Sequence, residues 1–203
     1  AQMSIWILIG SLALKSDEDG RFANRSFLIG PDGEIHARYD KIHMFDVDIS
    51  ESETYRESEG YRPGNQAVLC DVDGVPVGLT ICYDVRFPYL YRGLAKAGAK
   101  LLTVPSAFSP GTGADHWEIL LRARAIETGS FVLAPAQCGT HKSSRGRQRS
   151  TYGHSLAVDP WGRVLADGGE RPGISLVDLD VDLVDDVRKR LPSLSNERTY
   201  RMV

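Results

Sequence analysis

Apolar and polar residues alternate in several short stretches of the chain, and such alternation is typical of β-strands with one buried face. The clearest stretch spans residues 75–81 and stops at Cys82. Pro88 can open a helix, and helical spacing then continues to Gly98, a natural stop. The pattern therefore predicts that Cys82 lies at the carboxyl end of a buried strand, on a tight turn into a helix.

The same kind of pattern predicts the remaining elements. Strands are predicted at residues 5–13, 26–29, 35–39, 67–70, 100–105, 131–136 and 173–180, with hairpin turns at 31–33, 73–74 and, within 151–166, at 159–162. Further helices are predicted at 116–127 and 181–191, loops at 15–24, 46–64, 106–113 and 141–148, and an irregular tail at 192–203. The strand, helix and strand between residues 75 and 105 predict a right-handed parallel crossover. Strand pairs that alternate with helices indicate an α/β domain with two packed sheets.

Composition narrows the classes of function. The chain has 203 residues, of which 42% are hydrophobic and 25% charged, as in ordinary soluble globular domains. A net charge of -3 gives no electrostatic reason to bind nucleic acid or an anionic membrane, and no apolar run is long enough to span a bilayer. Three cysteines without a CxxC pair predict reduced thiols, a cytoplasmic location and no zinc site.

Cys82 and Lys41 are the candidate chemical groups. A cysteine on a strand-to-helix turn is exposed, and the backbone N–H groups after it point at whatever the sulfur attacks. Lys41 follows a predicted strand and precedes the largely apolar residues 42–45. Its ammonium would stabilise a thiolate and, beside the Tyr83 backbone N–H, a tetrahedral oxyanion. A carboxylate would move the proton.

Other interpretations of these residues remain open at this point. Free cysteine is often a core residue, a role that Cys70 and Cys138 also fit, and lysine is usually solvated. A papain-like mechanism would need a histidine. His116 and His154 are the best placed, but neither is followed by a clear orienting Asn or Asp, and a structural role fits each better.

Several stretches resemble the carbon–nitrogen hydrolase (nitrilase) superfamily, in order and in spacing. YDKIHMFDVD at 39–48 resembles its lysine motif, and GLTICYDVRFPYL at 78–90 resembles its cysteine motif. Residues 105–108, 116–117 and 120–127 resemble the stretch that follows. Residues 136–139, 152–155 and 159–162 narrow the resemblance to the branch that contains deaminated-glutathione amidase and the ω-amidases. The resemblance runs from about residue 4 to the end of the chain.

The resemblance implies an α-β-β-α sandwich and a set of site residues. Cys82 would be the nucleophile, Lys41 would hold the oxyanion, and Glu57 would support the lysine and orient the substrate. Substrate-binding positions would be Tyr83, Arg86, Phe108 and Thr112, with Arg86 binding a substrate carboxylate. An arginine at that position could equally clamp the next loop.

One part of the family pattern has no counterpart here. The general-base glutamate of the family lies upstream of the first strand, and the chain opens at Ala1 directly before that strand. We expect residues 1–203 to form one N-terminally incomplete hydrolase domain, with a missing segment favoured over a catalytically impaired relative.

The predicted function is hydrolysis of a small, linear, carboxylate-bearing amide, such as a deaminated-glutathione-like α-keto-acid amide, to acid and ammonia through a cysteine thioester. No metal or organic cofactor is implied, and the resemblance implies at least a homodimer. The alternatives are an N-carbamoyl amino acid hydrolase or another amidase, and a non-catalytic binding or assembly module of the same fold. A thiol redox protein fits less well, because no cysteine lies near Cys82 in sequence.

Overall fold

The structure is a computed structural model that describes residues 3–15, 19–51, 53–142 and 148–203. Within these ranges, short strands alternate with helices. The strands are β1 (Ile7–Lys15), β2 (Phe22–Ile29), β3 (Ile35–Asp40), β4 (Asp46–Ser50), β5 (Glu53–Arg56), β6 (Tyr61–Arg62), β7 (Val68–Val72), β8 (Val75–Leu79), β9 (Leu101–Thr103), β10 (Phe131–Ala134), β11 (Cys138–His141), β12 (Arg149–Tyr152), β13 (Leu156–Val158) and β14 (Val164–Asp167). The helices are α1 (Glu57–Gly60), α2 (Pro88–Lys96), α3 (Pro110–Thr128) and α4 (Asp182–Arg190), with a 3₁₀-helix at Cys82–Arg86.

The larger sheet has six strands in the order β14-β13-β10-β9-β8-β7. β8, β9 and β10 are parallel, and α2 connects β8 to β9, so the predicted parallel arrangement of this crossover is confirmed. Parallel strands present their carboxyl ends at one edge of a sheet, where α/β proteins bind ligands. Cys82 follows β8 at that edge.

The smaller sheet contains β1, β2 and β3, with β6 paired to β2. One of its faces packs on the larger sheet, where Tyr39 contacts a fully or almost fully buried cluster of Val77, Leu79 and Ile81. Burying both faces of β8 explains why its sequence is almost continuously apolar.

Helices α2 and α3 cover the opposite face of the larger sheet. Trp117 and Leu121 of α3 and Tyr91 of α2 are completely buried there, against Leu102 of β9 and Val132 of β10. α3 ends at Gly129, whose φ of 56° lies in the left-handed region that favours glycine. Two packed sheets with a helical layer confirm the predicted α/β sandwich.

The prediction of a loop over residues 46–64 is wrong. β4 and β5 pair antiparallel there, and α1 and β6 follow. The alternation is hard to detect because the strands have only five and four residues. The hairpin matters for the site, because it returns the chain so that Glu57 comes back to Phe45.

Other boundaries also differ from the predictions. β1 and β2 extend into the predicted loop 15–24, whose residues 16–18 lie outside the described residues. α3 begins at Pro110, earlier than the predicted residue 116, because proline fits the first turn of a helix. β11 and β12 flank the predicted loop 141–148, of which 143–147 lie outside the described residues.

The predicted strand 173–180 is wrong. The segment has alternating apolar residues, but it pairs with no strand in the part of the chain that the structure describes. Ile174 and Leu176 are 91% and 90% exposed. Alternation alone does not make a strand without a neighbour to supply hydrogen bonds. The predicted helix that follows is confirmed as α4. No helix among the described residues is both long and apolar enough to cross a membrane.

Candidate active site

Cys82 lies on a sharp turn between β8 and the 3₁₀-helix. Its φ is +50°, a left-handed conformation that residues other than glycine rarely adopt. Its backbone N–H donates to the Pro105 carbonyl oxygen (3.0 Å), which ties the turn to the end of β9. The Tyr83 N–H follows at the start of the 3₁₀-helix, where the first N–H groups have no acceptor within the helix. The turn therefore presents a thiol next to a backbone donor, as the sequence pattern predicted.

Lys41 follows the last residue of β3, and its side chain is only 3% exposed. Its Nζ donates to Oε2 of Glu57 at 2.5 Å. The backbone fixes the position of the lysine, because its N–H donates to the Asn24 carbonyl (2.9 Å) and its carbonyl accepts from the Gly64 N–H (2.8 Å). A buried ammonium needs such a partner, because an unpaired buried charge is costly.

Glu57 begins α1, and both of its carboxylate oxygens accept hydrogen bonds. Besides the lysine, Oε2 accepts from the Phe45 backbone N–H (2.6 Å), and Oε1 accepts from Asn24 Nδ2 (3.3 Å). The carboxylate is thus held from three directions. This arrangement fits a group that positions the lysine rather than one that moves through a reaction.

Cys82, Lys41 and Glu57 line the same cavity, which has a volume of about 760 Å³. That volume lies within the usual range for small-molecule sites. Tyr83, Phe108 and Thr112 also line it, so six of the seven predicted site residues meet at one place. They come together because the lysine strand and the cysteine turn belong to the two packed sheets, while Phe108 and Thr112 follow β9 at the same sheet edge.

Arg86 is the predicted site residue that does not line the cavity. One of its Nη atoms lies 3.2 Å from Nδ1 of His116, and its guanidinium lies 5.9 Å and 5.5 Å from the ring centres of Tyr83 and Phe108. Arg86 therefore contacts the rings of two residues that line the cavity but does not line the cavity itself.

Neither candidate histidine lines the cavity. His116 contacts Arg86, and Nδ1 of His154 lies 2.9 Å from Oδ2 of Asp167. His154 does have a carboxylate partner, but neither residue of this pair lines the cavity. The geometry offers no support for a papain-like pair.

Asp84, two residues after the cysteine, connects the lysine motif with the cysteine motif. This completely buried carboxylate accepts from the Tyr39 hydroxyl (2.6 Å), from the Ile81 N–H (2.9 Å) and from the backbone N–H of His43 (3.1 Å), and His43 Nδ1 lies at 2.7 Å. Burial, together with the Asp84 charge, raises the pKa of Tyr39 far above its ordinary value, so its hydroxyl stays protonated and donates. Asp84 thereby holds the cysteine turn against β3.

Sequence reasoning missed further residues of the cavity wall, among them Asn24, Phe45, Tyr55 and Arg149. The Phe45 ring contacts the rings of Tyr83 and Tyr55, with centres 5.0 Å and 4.9 Å apart. Burial and the hydrogen bond from the Tyr55 hydroxyl to Glu53 raise the pKa of Tyr55, and the nearby charge of Arg149 opposes this rise. A lysine-motif residue such as Phe45 could have been noticed in the sequence, but the others become neighbours only in the fold.

The described residues contain no group of three or more His, Cys, Asp or Glu side chains arranged to hold a metal ion. The three cysteines are unpaired, and Cys70 packs between the sheets, where burial, with the neighbouring Asp71, raises the pKa of its thiol to about 11. Cys82 is the cysteine that lines the cavity.

A cysteine on a left-handed turn can attack a carbonyl carbon, and a buried ammonium that lines the same cavity and is held by a carboxylate can stabilise the resulting oxyanion. The fold and the site together define a class of proteins, the α/β-sandwich hydrolases that use a cysteine.

Comparison with known proteins narrows the class to a family. The sequence pattern of the carbon-nitrogen hydrolases matches residues 1–189. A deaminated glutathione amidase of Synechocystis sp. is 43% identical over 198 residues, which are 96% of this chain and 71% of that protein. One from Yersinia enterocolitica is 42% identical over 196 residues, or 96% of this chain and 67% of that protein. The crystal structure of the C. elegans NitFhit protein, 41% identical, matches with a TM-score of 0.85 over 97% of this chain and 47% of that chain.

The chain belongs to the carbon–nitrogen hydrolase family. It spans about 70% of the two curated relatives and less than half of the C. elegans chain. The predicted family, the sandwich fold and an amide-hydrolysing enzyme are confirmed by these comparisons.

Proposed function

We propose that the protein hydrolyses a small, carboxylate-bearing linear amide through a thioester at Cys82, with deaminated glutathione as the first substrate to test. The observation that supports this most directly is that Cys82, Lys41 and Glu57 line one cavity. The relatives named deaminated glutathione amidase suggest the substrate.

In the first half of the reaction, Sγ of Cys82 attacks the amide carbon. A C–S bond forms, and the negative charge that develops on the oxygen is stabilised by the Lys41 ammonium and the Tyr83 N–H. The tetrahedral intermediate then collapses and the C–N bond breaks. The nitrogen leaves with the proton taken from the thiol, as ammonia or as an amine according to the substrate.

In the second half, water attacks the thioester carbon, the C–S bond breaks, and the carboxylic acid leaves. Both halves need a general base. Glu57 is the one carboxylate among the described residues that line the cavity, and its oxygens are taken by Lys41, Phe45 and Asn24. We therefore assign Glu57 a positioning role, and the proposal includes a second carboxylate, the base that the family resemblance implies.

The test measures release of the acid product from deaminated glutathione by the purified protein and by the variants C82A and C70A. C82A is expected to lose activity by a factor of about 10³ or more, since the chemistry passes through the thiol. C70A keeps most of its activity, because that thiol packs between the sheets. Mass spectrometry of the quenched wild-type reaction should detect an acyl adduct on the peptide that contains Cys82.

Unchanged turnover in C82A would contradict the proposed mechanism. Hydrolysis of an N-carbamoyl amino acid in place of deaminated glutathione, with release of carbon dioxide together with ammonia, would favour the N-carbamoyl amino acid hydrolase. The absence of both turnover and adduct would favour a non-catalytic module.

The proposal also includes a cytoplasmic location and assembly into at least a homodimer. The first follows from the reduced cysteines expected from the sequence, and the second from the family resemblance. Light scattering on the purified protein tests the assembly, and a monomer at micromolar concentration would contradict it.

A further inference from the structure

The cavity has an arginine in its wall that no prediction assigned, Arg149 at the start of β12. One of its Nη atoms donates to the Ala107 carbonyl oxygen at 2.8 Å, and its guanidinium lies 6.0 Å from the ring centre of Tyr55. Both contacting residues line the cavity as well. The hydrogen bond and the ring contact together fix the guanidinium at the cavity wall.

Arg149 forms an ion pair with no carboxylate in the ranges that the structure describes. Arg56, which also lines the cavity, is different, because its guanidinium contacts both oxygens of Asp48 (2.7 and 3.0 Å) and two backbone carbonyls. A guanidinium has five N–H donors, and the contacts that Arg149 makes with described residues use one of them. The remaining donors suit bidentate binding of a carboxylate.

The cavity wall between the nucleophile and this arginine is aromatic. Tyr83, next to Cys82 in sequence, contacts Phe45, which contacts Tyr55, and Arg149 lies over the Tyr55 ring. Lys41, the cation near the nucleophile, is already neutralised by its glutamate. The cavity thus has a reactive end, an aromatic middle and, farther along, a guanidinium that has no ion pair in the described ranges, which suits a short amide with a carboxylate away from the scissile bond.

We propose that Arg149 binds a substrate carboxylate remote from the scissile amide. This inference rests on the proposed function, because it takes Cys82 as the point of attack. Deaminated glutathione has one carboxylate in its acyl part and one in its amine part, and Arg149 contacts one of the two. Arg149 thereby selects dicarboxylate amides over neutral ones, a role that the resemblance had given to Arg86.

The test uses binding rather than turnover, so that it is independent of the catalytic step. Isothermal titration of the C82A protein measures the affinity for deaminated glutathione and for two analogues, in each of which one of the two carboxylates is replaced by a primary amide. Glutarate, a dicarboxylate without an amide, is titrated in parallel. The variants R149M, R56M and R86M are made in the same C82A protein.

R149M is expected to weaken the binding of deaminated glutathione at least tenfold, and to weaken the binding of glutarate as well, because it removes a charge-assisted bidentate contact. It should change the affinity less than twofold for one analogue, the one that lacks the carboxylate bound by Arg149. R56M should change each affinity less than twofold, because its guanidinium is occupied by Asp48.

The proposal is overturned if R149M weakens all the ligands equally, or none of them. It is also overturned if the carboxylate-dependent loss occurs in R86M instead, or if neither deaminated glutathione nor glutarate binds. Carboxylate binding that depends on Arg149, together with a wild-type protein that hydrolyses no amide, would support this inference and contradict the proposed function.

Discussion

The ion pair between Lys41 and Glu57 leads to the most quantitative prediction. In E57Q the amide oxygen can still accept the Phe45 N–H, but the ammonium loses its counter-charge and faces a neutral group. Removing one partner of a buried pair typically costs about 3–5 kcal/mol, because the other charge stays buried. The Lys41 side chain is 3% exposed and that of Glu57 is 15% exposed. Water reaches the glutamate from the cavity, so we expect about 3–4 kcal/mol, in the lower part of that range.

The assay is urea unfolding followed by tryptophan fluorescence, for which the fully buried Trp117 is a suitable probe. E59Q is the matched control, because Glu59 lies on the same short helix but is exposed. It should change the free energy of unfolding by less than about 0.5 kcal/mol.

A double-mutant cycle separates the pair from its surroundings. K41M leaves a carboxylate that still accepts from Phe45 and Asn24, whereas K41M/E57Q removes both charges and keeps the acceptor for Phe45. The double variant should therefore be more stable than E57Q alone, with a coupling energy of about 2 kcal/mol. Neither K41M nor the double variant should hydrolyse the amide. Two results would refute the positioning role of Glu57. One is a free energy of unfolding of E57Q within about 0.5 kcal/mol of the wild-type value. The other is additivity of the effects of K41M and E57Q on the free energy of unfolding, because additive effects mean that the two charges are not coupled.

Two further predictions concern packing and thiol reactivity. G113A should destabilise the protein by about 1–3 kcal/mol in urea unfolding, because a Cβ there would lie 2.2 Å from the Tyr152 ring. G93A, on an exposed face of α2 with open space around it, should instead stabilise by about 0.5–1 kcal/mol, and equal effects of the two changes would contradict the packing argument. Iodoacetamide at pH 8 should label Cys82 before Cys70, because burial raises the pKa of Cys70 to about 11 and keeps that thiol protonated. Peptide mass spectrometry should find the Cys70 labelling rate rising about tenfold per pH unit up to about pH 11, and a rate that does not depend on pH would contradict the raised pKa.

The parts of the fold that were predicted correctly are encoded locally. The turn at Cys82 combines an alternating strand, a cysteine and a helix-opening proline within fourteen residues of sequence, 75–88. Hairpins at residues 31–33 and 73–74 have turn residues between apolar runs. In these cases neighbouring residues alone decide the backbone path, so the sequence pattern suffices.

The parts that were missed depend on contacts between distant segments. β4 and β5 are too short to show a clear pattern, and what makes them strands is their pairing with each other. Arg149 reaches the cavity only because β12 pairs with β11 beside the loop that follows β9. The segment 173–180 is the converse case, because it has the alternating pattern of a strand but pairs with no strand among the described residues. Pattern reasoning cannot supply a partner.

The left-handed backbone at Cys82 lowers the stability of the fold in order to position the thiol. A side chain in this conformation costs about 1–2 kcal/mol relative to glycine, so the fold holds its nucleophile where the chain would prefer no side chain at all. A descendant that lost its activity could therefore become more robust by acquiring glycine at this position. Among relatives, extra thermal tolerance without a thiol at this turn would then be a sign of lost chemistry rather than of adaptation to heat.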